Sequence, residues 1–585
     1  YAAGTATNFG FINSTVINSS ASTSGIAIYL TTANGVTIKD VCIENYSSSA
    51  SNGVMSGDGG VIYISTDSGK FEMNNVTLRT DKAFKTSANG GIVYCGGDAI
   101  TSVSVSNVNF TNVTGKGSDK LGAGMYLGTV SGAASFTNVT FTNTTLTATS
   151  GTAKGGALYI KNAKSTVNFN NVNFTDTYVK SGIGGALYVG GDATKRVTLT
   201  DVDFTNVNAS SDGGAVYIDG DVRSLKFDDV TFTNTSVKSG SGGAVYVNGN
   251  ATNFEFINSE ILNSSASSSG SAIYIETANG VTIKNSTIEN YSSSASNGVM
   301  SGSGGVIYVG SNTGILNMEN VNFVRNNTLQ VTGNGGIVYC NGVSKVTLNN
   351  VNFTASKITT KNALGGALYL NVVSGDVSFT GVKFVNNTLS GDSTKGGAVY
   401  IKSANDVSFT NVNFTDMYST SNGSALCIEQ SRHASFTDVN FVNNILSGAN
   451  GRGGALYLIP SGDVTFTNVN FTDISLVSAN GLGGALFLGH DMESVSMGKV
   501  KFDNIEFVNV HADSSNNDGG AFYFRAGSIT SFDIDNSKFI NTSASRSGGA
   551  LYYEVLHALN IRNSVFENIS SQNGVLMTLV KCPIP

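Results

Sequence analysis

A six-residue motif recurs eighteen times along the 585-residue chain, and this recurrence limits the fold more than any other feature. It reads Gly155-Gly156-Ala157-Leu158-Tyr159-Ile160 and returns with Tyr188, Tyr217, Tyr246, Tyr369, Tyr400, Tyr457 and Tyr552 at its fifth place. Variants centre on Tyr29, Tyr63, Tyr94, Tyr126, Tyr274, Tyr308, Tyr339, Cys427, Phe487 and Tyr523, and a degenerate nineteenth copy lies near Gly574–Leu579. Neighbouring copies are 27–36 residues apart, about 31 on average. Between them lies a second element, typified by Phe136-Thr137-Asn138-Val139-Thr140-Phe141-Thr142-Asn143 and repeated at Phe409–Asn413 with Phe414 and at Phe466–Asn470 with Phe471. Its Phe and Val alternate with Thr and Asn, the pattern of a strand with one buried face. One extra residue between Phe136 and Val139 breaks the alternation and marks a bend between two short strands.

Each unit therefore offers about three short strands and no helical period, too little to close a core alone, so units must stack. The expected fold is all-β: a right-handed parallel β-helix of about 18–19 coils of ~31 residues, one domain over 1–585. Propellers do not fit, because their blades run about 40–50 residues and seldom exceed eight. Within the hexapeptide, Leu158 and Ile160 face one way and Ala157 and Tyr159 the other; the aliphatic pair is placed inward. The tyrosines then form an outward ladder, and an apolar stripe of that length marks an interface or a covered surface.

A longer period overlies the short one. Glu44–Gly57 reads ENYSSSASNGVMSG, and Glu289–Gly302 repeats it 245 positions later. Thr32–Lys39 matches Thr277–Lys284 at the same offset, and Cys95 matches Cys340. Asn563-Ser564 and Glu567-Asn568 echo Asn285-Ser286 and Glu289-Asn290. Super-repeats thus span approximately 1–245 and 246–490, with a partial third from about 539. The matches include loops, which packing does not dictate, so they indicate duplication.

Composition narrows the function. Charged residues are only 12 %, and Ser, Thr and Asn supply the polar positions, as in secreted solenoids and glycoproteins. A net charge of −7 with no clustered basic run argues against nucleic acid as a partner. No run of 18 apolar residues appears, so no membrane span is expected in this segment. The chain starts at Tyr1 without a signal-like segment, which reads as a processed form or a piece of something longer. Cys42, Cys95, Cys340, Cys427 and Cys582 are odd in number and lack metal-type spacing; three of them fall in the hexapeptide strand as small hydrophobes, and Cys582 is the exception.

The alternation of Gly-Gly-Ala-[Leu/Val/Ile] with a Phe-and-Asn element resembles the repeat of the polymorphic outer-membrane proteins. The resemblance spans essentially the whole chain. It implies a secreted β-helical passenger with an adhesive role at a cell surface. Two departures stand out: the family spaces its second motif F-x-x-N, whereas Phe141–Asn143 is F-x-N, and the family's terminal membrane β-barrel has no counterpart here.

Parallel β-helices also host polysaccharide lyases and hydrolases, which need clustered carboxylates and a basic residue on one face. Asp228-Asp229 and Asp201 with Asp203 fall where other coils carry Asn, and read as replacements on a solvated strand. His433, His490, His511 and His557 lie in different coils, away from Cys or Glu motifs. No catalytic residue, metal site or cofactor is expected. Rows such as Thr140-x-Thr142 and Thr465-x-Thr467 have the alternation of ice-binding faces, but Asn and Asp interrupt them. N-glycosylation candidates are Asn13, Asn18, Asn45, Asn138, Asn143, Asn173, Asn263, Asn290, Asn352, Asn413, Asn470 and Asn568. In Val172-Asn173-Phe174-Thr175 the Asn and Thr flank an inward Phe and so point outward.

The expectation is a non-enzymatic structural protein of the extracellular or cell-surface space: a filament subunit or stalk that associates with itself, laterally or head-to-tail. Thr7-Asn8-Phe9 enters directly in repeat register, matching Thr252-Asn253-Phe254, which reads as an uncapped coil able to pair. The alternative is an adhesin binding glycans or another cell-surface ligand.

Overall fold

The computed structural model describes residues 2–80, 82–191, 194–325, 328–489, 496–526, 528–555 and 559–581; Tyr1, His490, His557, Cys582, Pro583 and Pro585 lie outside the described residues. The regular structure is all β: parallel strands stack as a β-solenoid of about 19 turns of ~30 residues. Contacts divide the chain into two units, Tyr1–Gly298 and Val299–Pro585. The division falls inside the second copy of the duplicated loop.

In both units each strand pairs in register with its equivalent one turn on. Phe136 pairs with Phe169 and Phe141 with Phe174 in the first unit; Phe436 pairs with Phe466 and Phe441 with Phe471 in the second. The rings follow the strands. Their centroids are 4.9, 5.1, 4.7 and 4.7 Å apart and nearly parallel, close to the ~4.8 Å between strands. Each buried Phe removes enough apolar surface to contribute about 1.5–3 kcal/mol, and offset stacking adds about 0.5–1.5 kcal/mol per pair. Leu158 and Ile160 are fully buried on the inner face, as the pattern indicated. The nineteenth copy is present: Met577 pairs with Leu551 and Leu579 with Tyr553, and Thr578 takes the tyrosine place.

The bend is sharper than alternation alone suggests, and there are two per turn. At Asn138 the backbone turns left-handed, with φ 53°, and at Asn143 it does so again, with φ 54°. The first corner recurs at Asn13, Asp40, Asn75, Asn107, Asn171, Asp201, Asp229, Asn258 and Asn285 in the first unit. In the second unit it recurs from Asn320 to Asn563, with Gly381 once in place of Asn or Asp. The second corner follows five residues later in nearly every turn, as at Asn18, Asn45, Asn443 and Asn568. Among residues with a side chain, Asn and Asp tolerate this conformation best, which is why the Phe-x-Asn motif uses them.

The paired glycines have separate reasons. Gly155 has φ +62°, and a Cβ there would lie 2.3 Å from the carbonyl oxygen of Leu158. At Gly156 a Cβ would lie 1.9 Å from the carbonyl oxygen of Gly185 in the next turn. The chain is pinched there, because the residue after the second corner packs across the same gap. In the second unit the Ser356 and Thr542 hydroxyls reach over it and donate to the carbonyls of Gly366 and Gly549.

The corner geometry predicts an order of tolerance. Asn138→Ala keeps a Cβ in the left-handed region and should cost about 1–2 kcal/mol more than Asn138→Gly, which does not. Urea denaturation of the two variants checks this; equal midpoints would show that the corner imposes no backbone requirement.

Candidate functional site

Side chains that a ligand would meet lie outside the turns, in columns parallel to the stacking direction. The glycosylation candidates divide between two kinds of position. Asn13, Asn18, Asn45, Asn138, Asn143, Asn263, Asn290 and Asn568 are corner residues with positive φ. Asn173, Asn352, Asn413 and Asn470 stand on the strand between the corners, outward as expected.

Most of these amides join one turn to the next. Asn138 donates from Nδ2 to Asn107 Oδ1 at 3.0 Å, and Asn171 donates to Asn138 at 2.8 Å. Asn143 donates to Asn112, Asn263 to Asn234 and Asn568 to Asn541, at 2.8, 3.0 and 3.0 Å. On the strand, Asn352 donates to Asn322 at 2.6 Å and Asn470 to Asn440 at 2.8 Å. Nδ2 is also the atom that a glycan would take. A sugar would replace one of its two hydrogens and leave the other for the ladder.

The tyrosine column is the outward stripe that the sequence marks as an interface or a covered surface. Its rings do form an outward ladder: Tyr159 to Tyr188 is 4.7 Å, Tyr188 to Tyr217 5.6 Å and Tyr217 to Tyr246 5.0 Å between centroids. The same stacking runs through Tyr29, Tyr63, Tyr94 and Tyr126, and reaches Tyr274 from Tyr246. In the second unit it joins Tyr308, Tyr339, Tyr369 and Tyr400, then, beyond Cys427, Tyr457, Phe487, Tyr523 and Tyr552. The planes lie across the stacking direction, so each ring partly covers the next: Tyr159 and Tyr188 are only 7 % and 3 % exposed, whereas Tyr29, Tyr63, Tyr94, Tyr246, Tyr274, Tyr308, Tyr339 and Tyr552 are half-buried. Leu121 and Ile183 flank the column in the first unit, as Leu364, Ile459 and Leu482 do in the second.

Carboxylates of the following turn anchor several phenols. Tyr188 donates to Asp219 and Tyr523 to Glu554. Tyr400 donates to Glu429 Oε2 at 2.6 Å while Lys395 reaches Glu429 Oε1 at 2.5 Å. Burial, with the adjacent carboxylate, raises the pKa of Tyr188 and Tyr400 above the ordinary phenol value.

The remaining chemistry-bearing residues are also tied into the stack. Asp201 and Asp229 are first-corner residues, and Asp228 pairs with Lys226 at 2.9 Å, whose hydrogen bond holds its carboxyl below the usual range. Cys95, Cys340 and Cys427 are buried in the hexapeptide strand, and desolvation pushes the Cys340 thiol up to about 12. His511 Nδ1 lies 2.9 Å from Ser543 Oγ and 3.6 Å from Asp513. Serine and carboxylate thus share one nitrogen, and the relay of a nucleophilic triad is not formed.

The sequence did not single out one carboxylate group that register assembles. Asp376, Asp406 and Asp463, with His433, line an open groove of about 520 Å³ in the second unit. Their oxygens are largely engaged. Arg432 holds both oxygens of Asp406 at 3.0 and 2.9 Å and keeps its pKa below the usual range. Asp376 Oδ1 accepts from Asn405 at 2.8 Å, and Asp463 Oδ1 from the Lys499 amide at 2.7 Å. His433 Nδ1 accepts the Asp463 amide at 2.8 Å. Among the described residues no group of three or more His, Cys, Asp and Glu could hold a metal ion.

Comparison with protein-family models, with curated proteins and with solved structures finds no match.

The ladder makes alkali a specific denaturant. Burial pushes the Tyr159 and Tyr339 phenols up to about 12, from 10.0. A folded pKa above the unfolded one gives stability that is full below pH 10 and lost as pH rises through 12. Tyrosinate absorbance and β-sheet circular dichroism should therefore change together between about pH 10 and 12. Full ionisation near pH 10 with the sheet signal intact would contradict the buried ladder.

Proposed function

We propose that this chain is a non-enzymatic structural protein of an extracellular or cell surface, a solenoid stalk or filament subunit that associates head-to-tail. One observation carries the reading: the outward side chains best suited to chemistry are used to hold one turn to the next. Corner amides bond to corner amides, phenols to carboxylates of the next turn, and the carboxylates of the second unit's groove to Arg432 and backbone amides. A surface organised this way transmits length and stiffness, and leaves few polar groups free to act on a substrate.

Head-to-tail association follows from the same geometry, because each ladder can be continued by any coil in register. The tyrosine column, partly covered by its own stacking, gives the lateral mode less support than a fully open stripe would. The extracellular setting rests on the low charge, the hydroxyl- and amide-rich surface and the outward sequons. The resemblance to polymorphic outer-membrane proteins points the same way and favours adhesion as the second reading. No helix among the described residues is long and apolar enough to cross a membrane, which says nothing of a β-barrel.

Negative-stain microscopy of the native material, with an assay on acidic polysaccharides, tests the proposal. The expected result is stiff rods or fibres, no release of unsaturated or reducing sugar ends, and no rise in Tm with millimolar Ca²⁺. Sugar release, or a clear stabilisation by Ca²⁺, would favour a lyase or hydrolase instead.

A further inference from the structure

Lysines far apart in sequence fall into one outward column of the first unit. Register places Lys116 beside Thr147 and Thr147 beside Lys180. Val179 pairs with Ala209 and Ala209 with Val237, so Ser210 follows Lys180 in the column and Lys238 follows Ser210. Amide bonds from Ser210 to the Val179 carbonyl at 3.0 Å and from Lys238 to the Ala209 carbonyl at 3.1 Å fix these steps. A lysine thus occupies every second turn, about 10 Å from the next at two strand spacings of ~4.8 Å. Lys85, beside Thr114, extends the charge one column over.

All four lysines are exposed. Lys70–Glu72 and Lys226–Asp228, ion pairs of this unit, lie elsewhere. Three carboxylates stand nearby: Asp212, two residues beyond Ser210, accepts the Ser241 amide at 2.8 Å. Asp176 is a corner residue that accepts from Asn206 at 2.9 Å, and Asp119 accepts the Thr152 amide at 3.0 Å. The neighbouring outward column carries Thr114, Thr145, Tyr178, Asn208 and Ser236. The Lys180 ammonium lies 5.5 Å from the centroid of the Tyr178 ring. At one end, Val54, Lys85, Thr86, Thr114, Lys116 and Thr149 line an open depression of about 440 Å³.

We propose that this face binds a linear acidic polysaccharide lying along the turns. Cations a Debye length or so apart, about 8–10 Å, repel one another weakly but together attract an extended polyanion. Their spacing suits a polymer whose carboxylates or sulfates recur once per disaccharide. The adjoining hydroxyls and amide match sugar hydroxyls, and the depression seats a ring between Lys85 and Lys116. A single-stranded nucleic acid is held by repeated base stacking on aromatic faces, which one half-buried tyrosine does not supply. The chain's net charge of −7 disfavours general adhesion to polyanions, and the proposal assigns the attraction to this column. The inference deepens the non-enzymatic surface reading, since it concerns binding without cleavage.

The test titrates the whole protein with heparin, hyaluronan, dextran and oligo(dT) and follows binding against salt. The acidic glycans should bind and dextran should not. Lys116→Gln, Lys180→Gln and Lys238→Gln combined should weaken glycan binding about 100-fold and reduce the slope of log K on log salt by about 2–3. A control with the same charge change, Lys161→Gln, Lys164→Gln and Lys195→Gln, should alter it by no more than about twofold. All six side chains are exposed, so both variants should melt as the parent does. Equal losses in the two variants, absence of binding to both acidic glycans, or tighter binding of oligo(dT) would overturn the proposal. Cleavage of a bound glycan would overturn the non-enzymatic reading and leave the binding face standing.

Discussion

The structure depends on backbone hydrogen bonding between equivalent residues of successive turns, held in register. A single turn has no core of its own and leaves both of its strand edges unpaired; only the next turn supplies partners. Parallel in-register pairing has a strict consequence, which is that every side chain meets its counterpart at about 4.8 Å. Residue types that attract their own kind can therefore repeat without limit. Phe stacks on Phe, Tyr on Tyr, and the asparagine amide, donor and acceptor at once, bonds to another asparagine. Like charges repel at that spacing: a few do adjoin, as Asp503 beside Asp535 and the corner Asp201 beside Asp229, whereas Lys116, Lys180 and Lys238 alternate with Thr147 and Ser210.

The same constraint explains the unusual composition. Asn and Asp supply the left-handed corners, glycine the pinched first two places of the hexapeptide, and Ser and Thr the outward positions that must sit beside copies of themselves. A low charge content suits such columns, because a charge on one turn is best met by a neutral or opposite group on the next, as Lys395 is met by Glu429. The outer surface is thereby committed to cohesion, and what remains for recognition is found where a column departs from uniformity.

Most of the fold was legible in the sequence, because the signals that specify it are the repeated ones. Spacing of the tyrosine motif gave the number of turns, and alternation around Phe136 and Phe141 gave the buried face. The second corner was hidden, since Asn143 fits the polar phase of a strand and nothing in its identity reveals φ 54°. How far the tyrosine column covers itself was left open between two readings: it depends on ring planes lying across the stacking direction, a rotamer property that a hydropathy pattern does not carry. The lysine column could not be seen, because its members are separated by 64 and 58 residues and the net charge is negative. Register alone brings them together, as it does Asp376, Asp406 and Asp463.

Native-state hydrogen exchange, resolved along the chain by mass spectrometry, tests the central claim most directly. Stacking in register predicts strong protection of the strand segments in every interior turn, recurring with the ~30-residue period and falling at the variable loops. The strands around Phe141, Phe174, Phe204, Phe441 and Phe471 should exchange slowest, whereas the loop at Ser49–Gly53 should exchange fast. Protection confined to a few turns, or a pattern without the period of the turn, would contradict a fold held together by the pairing of equivalent residues.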